Sequence, residues 1–406
     1  VDGKVNDVFL PKVTKGLDLT GGPYDLKIDD SQFSFSGKGK LGGADIDLQY
    51  AAYLDLKNAP YVSTVKAAMI ADKVMRAAFG VDIEQFIIGA VPVDIDYREG
   101  KDKKESIVLK ADLTPAVFQI SPLGYKKDIG KKGNVACNVS IKNGVVLKVS
   151  DLDIRVDKDG GLKGALDFGQ VGKINDVISG RFPNVTLGGH NDFAMNFSQK
   201  QPQVYKIDIQ GKEFDARRYT GYSPDVVANS GVALSPAVDI KLQVSRLKTG
   251  DLQDQFLTGA KVNVSTNTQD DITDLSLTGK LPHGDLLLTL KPDKDGPLRL
   301  IMKSENAGEA LYAMDIYKDM VGGKLEISGL QKGKSLNDIQ GTMRITDFSI
   351  VRAPVLAKLI NLFSLSGMSE LLQNKGISFE KMKSDFSWVK EGNKRKIYMR
   401  DGRMTG

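Results

Sequence analysis

Residues 238–245 read Val238-Asp239-Ile240-Lys241-Leu242-Gln243-Val244-Ser245. Apolar and polar side chains alternate strictly here, so an extended backbone places one apolar row on one face and one polar row on the other. A period of two is typical of a strand that is buried on one side only. The segment therefore predicts a sheet with one apolar face and one solvated face.

The same alternation recurs along most of the chain. Its apolar positions include Ile46/Leu48/Tyr50, Val135/Cys137/Val139/Ile141, Tyr205/Ile207/Ile209, Leu275/Leu277, Leu298/Leu300/Met302, Leu325/Ile327 and Met343/Ile345. Turn signals such as Gly21-Gly22-Pro23, Asp159-Gly160-Gly161 and Gly322-Gly323 separate these stretches. The pattern predicts a mainly β fold, built as a long antiparallel meander.

Two segments depart from the alternation, and we predict a short helical insertion at each. Residues 62–79 carry apolar residues near helical spacing, and Gly80 can end that helix. Residues 353–373 open with Pro354, which suits a first helical turn, and are otherwise almost entirely apolar. Because Lys358 is the only charge between residues 353 and 369, this second helix requires cover on several sides.

Charge and cysteine content narrow the possible classes of function. The 56 Lys+Arg and 51 Asp+Glu residues give a net charge of +5. Since the basic residues are scattered along the strands rather than gathered into one stripe, we do not expect nucleic acid as a partner. Cys137 is the only cysteine, so the chain can form neither an internal disulfide nor a thiolate metal cluster.

The sequence contains no run of about 20 apolar residues, and the segment that starts at Val1 does not resemble a signal peptide. We therefore expect the chain to be a fragment of a longer protein whose targeting or anchoring segment lies elsewhere.

Three features that can mark enzymes lack the context that their chemistry needs. Residues 37–42 fit G-x-G-x-x-G, but a strand is expected after them where a dinucleotide site needs a helix, so we interpret the glycines as a hairpin turn. Residues 245–248 fit S-x-x-K, but Ser245 belongs to the polar row of a strand. His190 and His283 have no neighbours at metal-ligand spacing. We expect no catalytic residue, no metal and no cofactor.

The most specific segments lie in the last quarter of the chain. They read YKDMVGGKL at residues 317–325, APVLAKL at 353–359, SLSGM at 364–368 and GISFEKM at 376–382. In this order and spacing they resemble the C-terminal region of the AsmA-like family, found in large bacterial envelope proteins of the YhdP and TamB type. Before residue 300, the resemblance rests on residues 111–115 (ADLTP) and 214–217 (FDAR).

This resemblance implies a sheet curled into an elongated groove or open barrel. It further implies a periplasmic protein, anchored in the inner membrane, that moves phospholipid toward the outer membrane without catalysis. A β-rich region at 1–245, with the helix near 62–79, would precede a C-terminal β region at 246–406 with the apolar helix at 353–373. The expected partners are phospholipid, the inner membrane and components of the outer membrane.

The apolar rows supply the side chains that would line such a groove. Acyl chains need this surface because each CH₂ kept from water contributes about 0.8 kcal/mol. The expected lining residues are Ile46, Leu48, Val139, Ile207, Val238, Ile240, Leu242, Val244, Leu300 and Ile345. In the helix at 353–373, Leu359, Phe363 and Met368 are expected to cover the groove as a lid.

An alternative architecture gives the same sequence pattern. The apolar rows can pack against one another in a closed core, and the protein would then act as a scaffold or assembly factor for outer-membrane proteins. A groove predicts open apolar rows and bound lipid, whereas a closed core predicts buried rows and protein partners.

Overall fold

The structure is a computed structural model that describes residues 1–170, 176–220, 236–269, 271–293, 296–332, 338–351, 376–391 and 394–405. Strands account for 68% of the chain and helices for 7%, which confirms the prediction of a mainly β fold. Of the strands in these residues, 23 belong to one sheet and three to a small sheet.

The strands follow one another closely along the chain. In the first half they are β1 (Asp2–Val5), β2 (Val8–Thr14), β3 (Leu17–Ile28), β4 (Gln32–Leu41), β5 (Ala44–Tyr53), β6 (Ser63–Ala71), β7 (Ile87–Ile88), β8 (Val91–Glu99), β9 (Lys104–Asp112), β10 (Val117–Ile120), β11 (Tyr125–Lys127), β12 (Asn134–Lys142), β13 (Val145–Val156), β14 (Gly160–Phe168), β15 (Val177–Val185) and β16 (Asp192–Gln201). In the second half they are β17 (Val204–Asp215), β18 (Ala237–Lys248), β19 (Phe256–Thr266), β20 (Ile272–Leu281), β21 (Gly284–Pro292), β22 (Leu298–Ser304), β23 (Met320–Gln331), β24 (Asp338–Ile350), β25 (Ile377–Glu391) and β26 (Lys394–Thr405). The helices of the described residues are α1 (Lys73–Ala78), α2 (Arg217–Thr220) and α3 (Ala307–Ala313).

Most described pairings of the large sheet join strands that are neighbours in sequence, and they are antiparallel. The pair β17–β18 is parallel, with Ile207 opposite Ile240, so the sheet is mixed and the predicted antiparallel meander needs this correction. Pairing starts at β1 and β2, which both lie against β3, and ends at β26. The sheet is not closed on itself.

Successive connections alternate between two edges of this sheet. The edge that we call the turn edge carries connections such as β3–β4, β8–β9 and β12–β13. In the unit Val1–Ser198 the opposite edge, which we call the cap edge, carries the connections that contain α1 and the small sheet of β7, β10 and β11. The connection from β9 to β12 buries apolar residues of its own, because Leu113, Ala116 and Phe118 are at most 3% exposed.

The chain forms two compact units, Val1–Ser198 and Gln199–Gly406. The boundary predicted from the sequence lies between residues 245 and 246. That position lies inside β18, a strand that pairs with β17 on one side and β19 on the other.

The helix predicted over residues 62–79 is wrong in its first half, where Ser63–Ala71 forms β6. Val65, Ala67 and Met69 lie on one face of this strand and pair with β5 and β8. Hydrogen bonding on both sides satisfies the backbone along the whole segment, and this tertiary pairing overrides the helical spacing of its apolar residues.

Helix α1 is therefore shorter than predicted. The carboxylate of Asp72 caps it by accepting from the N–H of Met75 at 2.8 Å. Gly80, in the left-handed region at φ 73°, follows its last turn, which confirms the predicted stop.

The second predicted insertion, at 353–373 with the lid residues Leu359, Phe363 and Met368, lies outside the described residues. Helices α2 and α3 were not predicted. Helix α3 is capped by Asn306, whose side chain accepts from the N–H of Glu309 at 3.1 Å. No helix in the described part of the chain is both long and apolar enough to span a bilayer.

Candidate functional site

We call the face with the apolar rows the inner face and the opposite face the outer face. In the unit Val1–Ser198, strand pairing aligns inner-face residues into rows that run across the sheet. The middle row consists of Leu48, Ala67, Ile95, Leu109 and Cys137, each opposite the next on the neighbouring strand. All five are half-buried.

Two further rows flank the middle row. The cap row, toward the cap edge, consists of Ile46, Met69, Val93, Ala111, Val135, Ile154, Leu162, Val185 and Phe193. The rim row, toward the turn edge, consists of Tyr50, Val65, Tyr97, Ile107, Val139, Val149 and Leu166. Seven of the nine cap-row residues are buried, whereas the rim row is half-buried throughout. The inner face therefore opens from the cap edge toward the turn edge.

The outer face of the same strands is polar. Gln49 lies opposite Lys66, and Asp94 lies opposite Lys110, and all four side chains are exposed. The contrast between the two faces is the pattern that the alternation in the sequence predicts.

At the turn edge, the inner face of β8 and β9 carries two carboxylates. Glu99 and Glu105 lie directly opposite each other on β8 and β9. The hydroxyl of Ser63 donates to Glu99 Oε2 at 2.8 Å, and the hydroxyl of Tyr97 donates to Glu105 Oε2 at 3.2 Å. Burial, followed by the charge of Glu105, raises the pKa of Tyr97, so this phenol remains a donor at neutral pH. On β8 and β9 the apolar rows thus end at two hydrogen-bonded carboxylates.

In the unit Gln199–Gly406, part of the inner face packs on itself. Leu290, Leu300, Ile339 and Phe386 form a cluster in which each residue is 3 to 7% exposed. The register places Phe386 opposite Gly341 on β24, which in turn lies opposite Gly329 on β23. The two glycines leave room for the ring, since a Cβ on Gly329 would come within 3.2 Å of it. This part of the face is a closed core.

The predicted lining residues all lie on the inner face of their own unit. Five of them are half-buried: Leu48, Val139, Ile207, Val238 and Ile240. The other five are buried, at 0 to 6% exposure: Ile46, Leu242, Val244, Leu300 and Ile345. Only the half-buried set offers surface to a ligand in this structure.

Ala67, Ile95 and Leu109 of the middle row were not among the lining residues predicted from the sequence. Ala67 was assigned to a helix. Ile95 and Leu109 stand in alternating stretches, residues 91–97 and 107–111, that carry the same period-two signal as the strands that were recognised.

Lys127 organises the cap of the first unit. Its side chain is 0% exposed, and its Nζ donates to the carbonyl oxygens of Ala116 at 2.8 Å, Asp128 at 2.9 Å and Lys131 at 2.9 Å. Burial lowers the pKa of this ammonium group below its ordinary value. One side chain thus fixes the connection that follows β9 through three backbone groups.

The structure also shows where the candidate enzymatic residues lie. Among the residues described, no group of three or more His, Cys, Asp or Glu side chains could hold a metal ion. The side chain of His283 is 80% exposed, and its Nδ1 lies 2.6 Å from Glu309 Oε1. This contact ties the turn between β20 and β21 to α3.

The environment of Cys137 gives a testable property of the middle row. Burial raises the pKa of its thiol to about 11. Because the thiolate is the reactive form, we expect alkylation by iodoacetamide at about pH 8 to be about 100-fold slower than for an unperturbed cysteine. The rate should rise by a factor of about ten for each pH unit up to about 10, measured by mass spectrometry. A rate equal to that of free cysteine at about pH 8 would show that the thiol is not shielded from water by the half-buried middle row.

No protein-family model and no curated protein sequence matches this chain. The resemblance to the AsmA-like family drawn from residues 317–382 therefore stays a prediction.

Proposed function

We propose that this chain is a non-enzymatic module that binds or conducts lipid, and that the inner face of the unit Val1–Ser198 holds the acyl chains of phospholipid. The observation that carries the proposal is the half-buried state of the middle and rim rows. Each Å² of apolar surface left in water forgoes about 25 cal/mol of stabilising free energy that burial would provide. A large contiguous apolar patch of this kind marks a binding site.

The dimensions of the rim row suit an acyl chain. It crosses the strands from β5 to β14, with Tyr50 at one end and Leu166 at the other. At about 4.8 Å between neighbouring strands, six spacings give about 29 Å. The hydrocarbon of one membrane leaflet is about 15 Å thick, so an extended acyl chain fits along this row.

We further propose that the parent protein resides in the periplasm, anchored to the inner membrane, and passes phospholipid toward the outer membrane. Support for this part comes from the order and spacing of the segments at 317–325, 353–359, 364–368 and 376–382.

One observation favours a second function. The cluster of Leu290, Leu300, Ile339 and Phe386 is packed as an ordinary core and needs no ligand to cover it. A scaffold or assembly factor for outer-membrane proteins requires only such closed surfaces.

Lipid bound to the purified chain separates the two functions. Solvent extraction followed by mass spectrometry should recover phospholipid from the wild type. Leu48→Asp should lower the amount recovered several-fold, because a carboxylate that faces hydrocarbon costs several kcal/mol unless it is neutralised.

Gln49→Asp is the matched control, since it adds the same charge to the same strand at an exposed outer-face position. This variant should retain lipid at the wild-type level, and thermal melts should show that both variants fold. A wild type without lipid, or equal lipid in two folded variants, would favour the scaffold.

A further inference from the structure

The outer face of the unit Gln199–Gly406 carries exposed basic side chains on four neighbouring strands, β22 to β25. We call them the basic patch, and its residues are Lys303, Lys324, Arg344, Lys381 and Lys383. Three strand spacings of about 4.8 Å give the basic patch a width of about 14 Å. Strand pairing thus gathers charges that are up to 80 residues apart in the sequence.

Two charges of the same sign face each other at the centre of the basic patch. Arg344 on β24 lies directly opposite Lys383 on β25. On its other side, Lys383 lies opposite Arg403, so neither of its cross-strand neighbours is a carboxylate. Like charges directly opposite each other destabilise a sheet. The arrangement therefore calls for an anionic partner.

A second pair of opposed basic residues on the outer face shows the difference. Lys291 lies opposite Arg299, but each forms an ion pair of its own, Lys291 with Asp274 at 3.9 Å and Arg299 with Asp293 at 2.6 Å. Carboxylates of the same sheet thus neutralise that pair.

The basic patch lacks such internal neutralisation. Lys324 pairs with Glu305 at 2.9 Å, while the other four basic residues form no ion pair with a described carboxylate. Glu326 lies between Lys303 and Arg344 in the register of the strands. Five basic side chains thus accompany two glutamates, which leaves a net charge of +3.

The side chains of the basic patch indicate which kind of anionic partner fits. Besides the five basic residues, its two rows contain only Glu326 and Thr346, and therefore no aromatic or large apolar side chain. The core of a protein interface is enriched in aromatic residues, and sites for single-stranded nucleic acid use aromatic rings for stacking. Long, exposed basic side chains suit a bilayer surface instead, because its headgroups can move to meet each charge.

We propose that the basic patch docks the chain on the surface of a bilayer that contains anionic phospholipid. Each Lys or Arg held near such a surface strengthens binding about fivefold. The attraction acts over about one Debye length, so salt weakens it. This contact uses the outer face and does not depend on whether the inner face holds acyl chains.

Co-sedimentation with vesicles tests the proposal on the 406-residue chain. One set of vesicles is pure phosphatidylcholine, and the other contains about one third phosphatidylglycerol with the same acyl chains. At low salt the chain should bind the phosphatidylglycerol vesicles about tenfold more strongly or better. High salt should remove this difference. Contact through an apolar face would not distinguish the two headgroups.

The double variant Arg344→Gln/Lys383→Gln should weaken binding to the phosphatidylglycerol vesicles about 25-fold, since each lost charge accounts for about fivefold. Because the variant also removes a repulsive pair, it should unfold at the same temperature as the wild type or a higher one. The control is Lys66→Gln/Lys110→Gln, which removes the same charge at exposed outer-face positions of β6 and β9. This control should bind like the wild type.

Three results would overturn the proposal. The first is equal binding to the two kinds of vesicle, and the second is an equal loss of binding in the two double variants. The third is binding to soluble polyglutamate without binding to phosphatidylglycerol vesicles, which would assign the basic patch to an acidic protein.

Discussion

Gly39→Val is expected to lower the free energy of unfolding of the unit Val1–Ser198 by about 3 kcal/mol. Gly39 lies on the inner face of β4, and the fully buried side chain of Tyr24 passes directly over it. A Cβ at this position would overlap the hydroxyl oxygen of Tyr24 and the carbonyl oxygen of Thr20. The ring of Tyr24 is also held by stacking on Phe35, with centroids 4.3 Å apart. The clash therefore cannot be relieved by turning one flexible side chain.

Urea unfolding followed by fluorescence or circular dichroism measures this loss. Gly3→Val is the control, because a Cβ on Gly3, in β1, meets nothing within 4 Å. This variant should change the free energy of unfolding by no more than about 0.5 kcal/mol. Equal midpoints for the two variants would show that Tyr24 does not occupy the space above Gly39.

The second large effect is expected at Lys127. The substitution Lys127→Met should lower the free energy of unfolding of the unit Val1–Ser198 by about 3 kcal/mol. Methionine keeps most of the side-chain volume but donates no hydrogen bond, so the carbonyl groups of Ala116, Asp128 and Lys131 lose their donor. Each buried polar group left without a partner costs about 1 to 3 kcal/mol. The substitution also removes the buried ammonium group and with it the free-energy penalty of burying a charge, which offsets part of that cost.

Lys126→Met provides the comparison. The side chain of Lys126 is 61% exposed and forms a surface ion pair with Asp128 at 3.1 Å. Pairs of this kind contribute about 0 to 1 kcal/mol, so thermal unfolding should hardly change. If Lys127→Met were as stable as Lys126→Met, the three hydrogen bonds would not hold the cap together.

The interpretation of the glycines at residues 37–42 as a hairpin turn before a strand was correct only in part. The sequence predicts a strand after them, and β5 is that strand. The hairpin turn, however, uses Gly42 and Gly43, both at positive φ, whereas Gly37 and Gly39 lie within β4 beneath Tyr24. The contact depends on β3, more than ten residues earlier, and the spacing of the glycines carries no information about it.

The residues of the candidate site were also predicted only in part. Leu48, Val139 and Ile240 were assigned to the apolar face from their alternation, and the structure places all three there, half-buried. Leu242 and Val244 belong to the same alternating stretch as Ile240 but are 6% and 2% exposed. Side-chain alternation specifies the face of a strand, whereas exposure depends on what packs against that face.

The amino-acid sequence by itself determined that most of the chain forms strands and which side of each recognised strand is apolar, because the backbone sends successive side chains to opposite faces. It also determined the end of α1 at Gly80, since glycine adopts the left-handed backbone conformation without a steric penalty. The tertiary structure decided that Ser63–Ala71 is a strand, that β17 and β18 run parallel, and which parts of the inner face remain open. These features depend on pairing and packing between residues distant in sequence, whose free energy outweighs local preference.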